Sequence, residues 1–404
     1  VTSRHGFRLL LAAVLLASCH REPAGKPAKP APDSLEAMQA PPDDAEERSN
    51  LLNIAHGATI ISRTGESTLE NSAVQAIDGD PASAWLSPPY DTDQTFVIAL
   101  PSLSRIRKLG AKRSPFARMA VRSLEVERST DGIHFEPFTT LKLADNGSYQ
   151  LFPVTPADAS YLRVTTHEPG GPYMQLSSVV AHGEPLEPVA PRHLDGCWSI
   201  NGQPAVFRQN GAAVPYGRIG DLTLDGGSDG RFFRFVWKNK AEYGMAVISV
   251  SADGNHLSGI KWHEEALPLF LGGSWFGDRI PCQQGASGVP DNPAKPTPVF
   301  ETFMARFGRF PLYGLEFDAR GELTDRSRWT LDAVTRYLQA HPSGAFQFTG
   351  YGSEQQLNAL HSALQKQGAL LSKVTFVSAR TPRREPITDV MRSLYGNIDL
   401  EIRR

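Results

Sequence analysis

The chain has 404 residues, a length that suggests two or three domains. A formal net charge of −2 gives no general electrostatic pull on nucleic acid or anionic lipid, so neither class of partner is expected from charge alone. Three cysteines are present, Cys19, Cys197 and Cys282, and their use bears on the compartment.

The first segment reads as an export signal. Arg4 and Arg8 precede the apolar run Leu9 to Ala17, and small residues lead into Cys19. Nine apolar residues fall short of the roughly 20 needed to cross a bilayer. Leu16-Ala17-Ser18-Cys19 resembles the lipobox of bacterial lipoproteins. That resemblance implies a signal peptide over residues 1–19, acylation of Cys19, and a lipid-anchored envelope protein, periplasmic or surface-exposed. His20 stands where an Asp favours inner-membrane retention, which points to the outer membrane. Residues 20–50 are rich in Pro, Ala and mixed charge and are expected to form a flexible tether. With Cys19 carrying lipid, Cys197 and Cys282 remain as a disulfide pair in an oxidising compartment, or as two separate buried thiols.

Residues 51–186 read as short strands joined by tight turns. In Ser123 to Ser129, Leu124 and Val126 face one way while Glu125 and Glu127 face the other, and Leu162 with Val164 repeats the alternation in Tyr161 to Thr165. Phe96 to Leu100 is continuously apolar, as a strand covered on both faces should be. Asp131-Gly132 and Asn146-Gly147 are turn signals. This pattern predicts a β-sandwich.

Asn53-Ile54-Ala55, then Ala76-Ile77-Asp78-Gly79-Asp80 with Trp85 seven residues after Asp78, resembles a discoidin domain. These domains, also called coagulation factor 5/8 type C, share a jelly roll with family 32 carbohydrate-binding modules. Ser129-Thr130-Asp131-Gly132 with Phe135, and Tyr161-Leu162-Arg163-Val164, extend the match across the domain. The resemblance implies a galactose-binding-type fold whose ligand loops gather at one end. Tyr90, Arg113, Phe116, His167 and Tyr173 are the candidate ligand-binding residues there. Aromatic rings face a sugar's C–H surface, and Arg or His bonds its hydroxyls. The resemblance also implies a structural calcium ion near Asp78, Asp80 and Ser83, although Ser83 and Ser178 stand where the family has Thr and Glu. Trp85 is read as core.

Residues 193–282 open with Gly196-Cys197-Trp198. Arg231 to Trp237, Gly244 to Val250 and Leu257 to Trp262 read as strands, with turns at Asp229-Gly230 and Asp253-Gly254. An antiparallel β meander or small barrel is expected, clasped by Cys197 and Cys282. Trp262-His263-Glu264-Glu265 lacks the His-Glu-x-x-His spacing of a metal helix and is read as a strand end.

A linker, 283–298, precedes the last unit, 299–404. Leu331, Val334 and Leu338 have helical spacing, and Pro342 ends that segment. Ala345 to Thr349, Lys373 to Val377 and Asn397 to Ile402 read as strands, and Glu354 to Leu371 as a second helix. Leu315-Glu316-Phe317-Asp318, Leu323 and the helix ending at His341-Pro342 resemble the C-terminal outer-membrane-protein-A-like (OmpA-like) domain. That family grips peptidoglycan with an Asp and an Arg; Ser353 and Gln356 hold those positions here. Losing two charge-assisted bonds of about 1.5–3 kcal/mol each removes the grip, so the unit is read as an OmpA-like α/β sandwich serving as spacer or protein dock.

The fold class expected is therefore multidomain and mainly β. The leading function is a membrane-anchored lipoprotein that binds carbohydrate through its discoidin-like domain. The alternative is a non-catalytic envelope scaffold. A hydrolase built from dispersed carboxylates is the third reading. Phosphate-cradling Gly-rich loops with Lys and Cys/His metal clusters are missing from the sequence, which argues against an enzyme.

Overall fold

The computed structural model describes residues 49–403, except 80–82, 91–92, 114–118, 168–170, 211–212, 229, 264–272, 283–300, 302–303, 306–307, 313–314, 316, 319 and 380–397. Cys19, Phe116, Asp80, Glu264, Glu265, the 283–298 linker and nearly all of the 20–50 tether thus lie outside the described residues.

Seven strands build the first unit: β1 (Thr59–Arg63), β2 (Trp85–Leu86), β3 (Gln94–Arg113), β4 (Ser123–Ser129), β5 (Glu136–Lys142), β6 (Tyr149–His167) and β7 (Gln175–Pro185). β3 and β6 are each shared between two halves, because their register breaks between Ala99 and Ser104. The first half of β3 pairs with β1 and the end of β6, which continues to β4 and β5. The second half of β3 pairs with β7 and the start of β6, and β2 adds to β7. Phe96, Ile98, Leu124, Val126, Leu162 and Val164 from the first half share one buried cluster with Ile106, Leu109, Ala111, Val179 and Ala181 from the second. A β-sandwich is the result. Trp85 is core: its ring centroid lies 6.0 Å from that of Phe96, and its Nε1 donates to Gly65 O at 3.2 Å.

The two sequence stretches that carried the discoidin resemblance lock together. Ile54 N donates to Ile77 O at 2.9 Å, and Asn53 Oδ1 accepts from Ala55 N at 2.8 Å, capping the one-turn helix Ile54–His56. Gly79 has a φ of 78° and lies under the Asn53 amide, where a Cβ would collide with Nδ2. Only glycine meets both demands.

Eight strands close into a barrel: β8 (Gly196–Ile200), β9 (Gln203–Asn210), β10 (Ala213–Ile219), β11 (Leu222–Ser228), β12 (Phe232–Lys238), β13 (Tyr243–Val250), β14 (His256–His263) and β15 (Ser274–Ile280). Each strand is antiparallel to its neighbours in sequence, and β15 returns to β8. Alternate side chains fill the interior, among them Trp198, Phe207, Phe233, Phe235, Trp237 and Trp275. Cys197 and Cys282 are bonded, with Cα atoms 5.3 Å apart.

The outer wall of β12 to β15 is buried too. Phe232, Val247, Ile260 and Phe276 belong to the same apolar cluster as Ile54, Ile60 and Val74 of the sandwich. A row of hydroxyls crosses the joint: Thr59 Oγ1 to Ser249 Oγ at 3.0 Å, Ile60 N to Ser258 Oγ at 2.9 Å, Ser72 Oγ to Ser274 Oγ at 2.5 Å. The Arg63 guanidinium carbon lies over Phe276, 3.4 Å from the ring centroid. The connecting segment is docked as well, because Arg192 is buried and its Nη2 donates to Pro101 O.

The last unit is α/β. Its sheet runs β16 (Arg309–Pro311), β19 (Ile398–Ile402), β17 (Phe346–Gly350), β18 (Val374–Ser378), with β17 and β18 parallel. Helices α1 (Arg328–Ala340) and α2 (Glu354–Lys366) bury Val334, Leu338, Leu357, Leu360 and Leu364 with Phe348 and Leu400 of the sheet. The sequence pattern predicts α2 to Leu371, but the helix stops at Lys366. Gly368, at φ 78°, turns the chain there, and Ala369 N returns to Leu364 O at 3.0 Å.

Candidate ligand-binding site

One end of the sandwich collects Ser123 on β4, His167 on β6, residues 87–90 and 93, and the loops at 143–149 and 171–174. Two of these segments are clasped by a buried serine. Ser87 N donates to Met174 O at 2.9 Å, and Met174 N donates back to Ser87 Oγ at 2.8 Å. From that clasp the chain projects Tyr90, whose residue surface is 83% exposed.

Tyr90 has a φ of 66°, in the left-handed region that non-glycine residues avoid. Such a conformation costs about 1–3 kcal/mol. It is held by the Tyr90 N–H, which donates to Pro172 O at 2.6 Å. Tyr173, half-buried, follows that proline.

Asp93, on the same loop as Tyr90, meets His167. The imidazole Nδ1 is 2.8 Å from Asp93 Oδ1, and Nε2 is 3.3 Å from Glu125 Oε2 on β4. Ionised carboxylates only accept, so both bonds are made at once only when the ring carries two protons. Burial disfavours the imidazolium, but the two carboxylates together outweigh it and raise the His167 pKa above its ordinary value. This end of the sandwich therefore presents an exposed aromatic ring and a hydrogen-bonding row of two acids and one histidine. A sugar needs both kinds of surface.

Arg113 stands at the same end but behind the surface, and Phe116 lies outside the described residues. Arg113 is no surface donor: it is 2% exposed, its Nη1 donates to Ala144 O at 2.8 Å, and its Nη2 lies 3.2 Å from Asp145. It ends β3 inside the wall and braces the 143–149 loop. Asp93 and Glu125 were not singled out in the sequence, since they lie 74 and 42 positions from His167 and only the fold joins them.

At the expected calcium loop, Asp78 is buried, and Ser83 Oγ lies 2.9 and 2.8 Å from its two carboxylate oxygens. Calcium takes six to eight oxygens with several carboxylates. Among the described residues this loop offers one carboxylate, bonded to a hydroxyl, and no group of three or more His, Cys, Asp or Glu side chains is arranged to hold a metal ion.

In the α/β unit, Ser353 is the N-cap of α2, its hydroxyl accepting from Gln356 N at 3.3 Å. The two positions that carry charge in the OmpA-like resemblance here serve one helix cap.

Residues 60–178 match the F5/8 type C domain. No curated protein matches the chain. Similar solved structures include CpGH89CBM32-5 from Clostridium perfringens, in complex with GalNAc-beta-1,3-galactose. It is 20% identical with a TM-score of 0.31, over 33% of this chain and 100% of that one. The family 32 module of NanJ from C. perfringens, in complex with galactose, is 15% identical with a TM-score of 0.30, over 33% and 97%. A chitosan-binding module from Paenibacillus sp. IK-5 is 22% identical with a TM-score of 0.29, over 32% and 98%. The sandwich is an F5/8 type C, discoidin-like domain.

Proposed function

We propose that this protein is an envelope lipoprotein, anchored through acylated Cys19, that binds a carbohydrate at the end of its discoidin-like domain. Tyr90 carries the reading. A large ring held in the open, in a conformation that costs free energy, is retained for what it touches. The sugar's apolar face lies on Tyr90 and Tyr173, and its hydroxyls donate to Asp93 and Glu125. The match of residues 60–178 to the F5/8 type C domain supports the same reading. The role is binding without catalysis.

The test is a glycan array with the chain from His20 onward, beside Tyr90→Ala and Tyr173→Ala. Saturable binding to a glycan, lost in Tyr90→Ala with the melting temperature unchanged, is the expected result. Binding that survives both substitutions would move the ligand to another surface. The anchor is checked separately, by incorporation of labelled palmitate that disappears in Cys19→Ser.

A further inference from the structure

The two ends of the barrel hold their cations differently. At the disulfide end, Arg279 on β15 lies on Trp198, its guanidinium carbon 4.3 Å from the ring centroid. Its donors all reach main-chain carbonyls: Nε to Gly254 O at 2.7 Å, Nη1 to Asp195 O at 2.5 Å, Nη2 to His193 O at 2.9 Å. That cation is satisfied, and it plugs the end.

At the opposite end stands Lys261 on β14. It pairs with Ala246, an interior residue, so strand alternation turns its side chain inward. The ammonium lies 5.4 Å from the ring centroid of Trp237 and 6.0 Å from that of Trp275. His263, on the same face two residues on, meets Trp237 edge-on at 5.2 Å. Indole faces attract the cation but accept none of its three N–H groups in the ordinary way.

No carboxylate or carbonyl among the described residues takes those donors. Glu70 of the sandwich approaches the rim at Gly273 without forming an ion pair with Lys261, and Glu242 at the next hairpin faces Asn239. A half-buried lysine whose ammonium has no acceptor among the described residues is a strong locus for an anion, because charge-assisted bonds are roughly twice as strong as neutral ones.

We propose that this rim is a second binding site, separate from the sandwich loops, for a small oxyanion: a carboxylate, sulfate or phosphate group. Lys261 supplies the charge and His263 a further donor. The indoles of Trp237 and Trp275 hold the lysine in place and report on it.

The test titrates the chain from His20 onward with sodium acetate, sodium sulfate and inorganic phosphate at constant ionic strength, following tryptophan emission and melting temperature. At least one salt is expected to give a saturable emission change and a rise in melting temperature. Lys261→Met keeps the aliphatic packing and should weaken that binding about tenfold or more, with Lys261→Arg restoring it. The salt that saturates identifies the group. Saturation unaltered in Lys261→Met would overturn the proposal, and so would the lack of any saturable response in the unmodified chain.

Discussion

The Asn53 amide occupies the space that a side chain at Gly79 would need, with Gly79 held at φ 78°. Two segments far apart in sequence are thereby fitted before any strand is considered. Gly79→Ala should destabilise the sandwich by more than about 1 kcal/mol, because strain and collision act together. A melting temperature within a degree of the parent would contradict that.

His167 makes the sandwich end sensitive to pH. Its folded pKa is raised, so the stabilisation from its two carboxylate partners is complete below the unfolded value of about 6.5 and is lost as pH rises through the folded value. An NMR titration should find the His167 midpoint above that value and lowered in Glu125→Gln. If the proposed site binds glycan, its affinity should fall as pH rises through that midpoint and Asp93 loses its partner. A midpoint unmoved by Glu125→Gln would show that the pair in the structure does not form.

Sandwich and barrel should unfold together. Phe232 is fully buried in the cluster that spans them, and Phe232→Ala should cost about 3–5 kcal/mol. Calorimetry should show one transition for both, moved as a whole by that substitution. Two separated transitions, only one of them shifted, would show the joint to be weak.

Calcium removal should change little. The Asp78 loop is closed by the Ser83 hydroxyl, so a chelator should leave melting temperature and glycan binding where they were. Ser83→Ala, which leaves a buried carboxylate short of a donor, should cost about 1–3 kcal/mol. A clear fall in melting temperature on chelation would show that Asp80 and its neighbours complete an ion site.

How much of this was readable beforehand depends on whether the cause was local. Ser123–Ser129 alternates in sequence and in the sheet alike, since one face meets the core and the other water. Phe232 to Trp237 reads as a strand, but nothing local tells why even Arg234 is buried: the outer face rests against a second domain. The 20-residue span of β3 was legible only at Phe96–Leu100, because beyond Pro101 the strand bends into the other half and its pattern changes. Tyr90, His167 and Tyr173 were nameable as candidates from a resemblance that places ligand loops at one end of the sandwich. Arg113 was misplaced because a charged residue near a loop looks exposed until its carbonyl partner is seen. Asp93 and Glu125 needed the register of β3, β4 and β6.

The bond between Cys197 and Cys282 also determines how the chain carries load. Pulled from both sides, tension arriving along the segment before β8 crosses the sulfur bridge and leaves past Cys282 without entering the 84 residues between. The barrel is mechanically bypassed. Stretching would peel the sandwich or the α/β unit first, and the strands that carry Lys261 and its indoles would keep their register while the rest of the chain gives way.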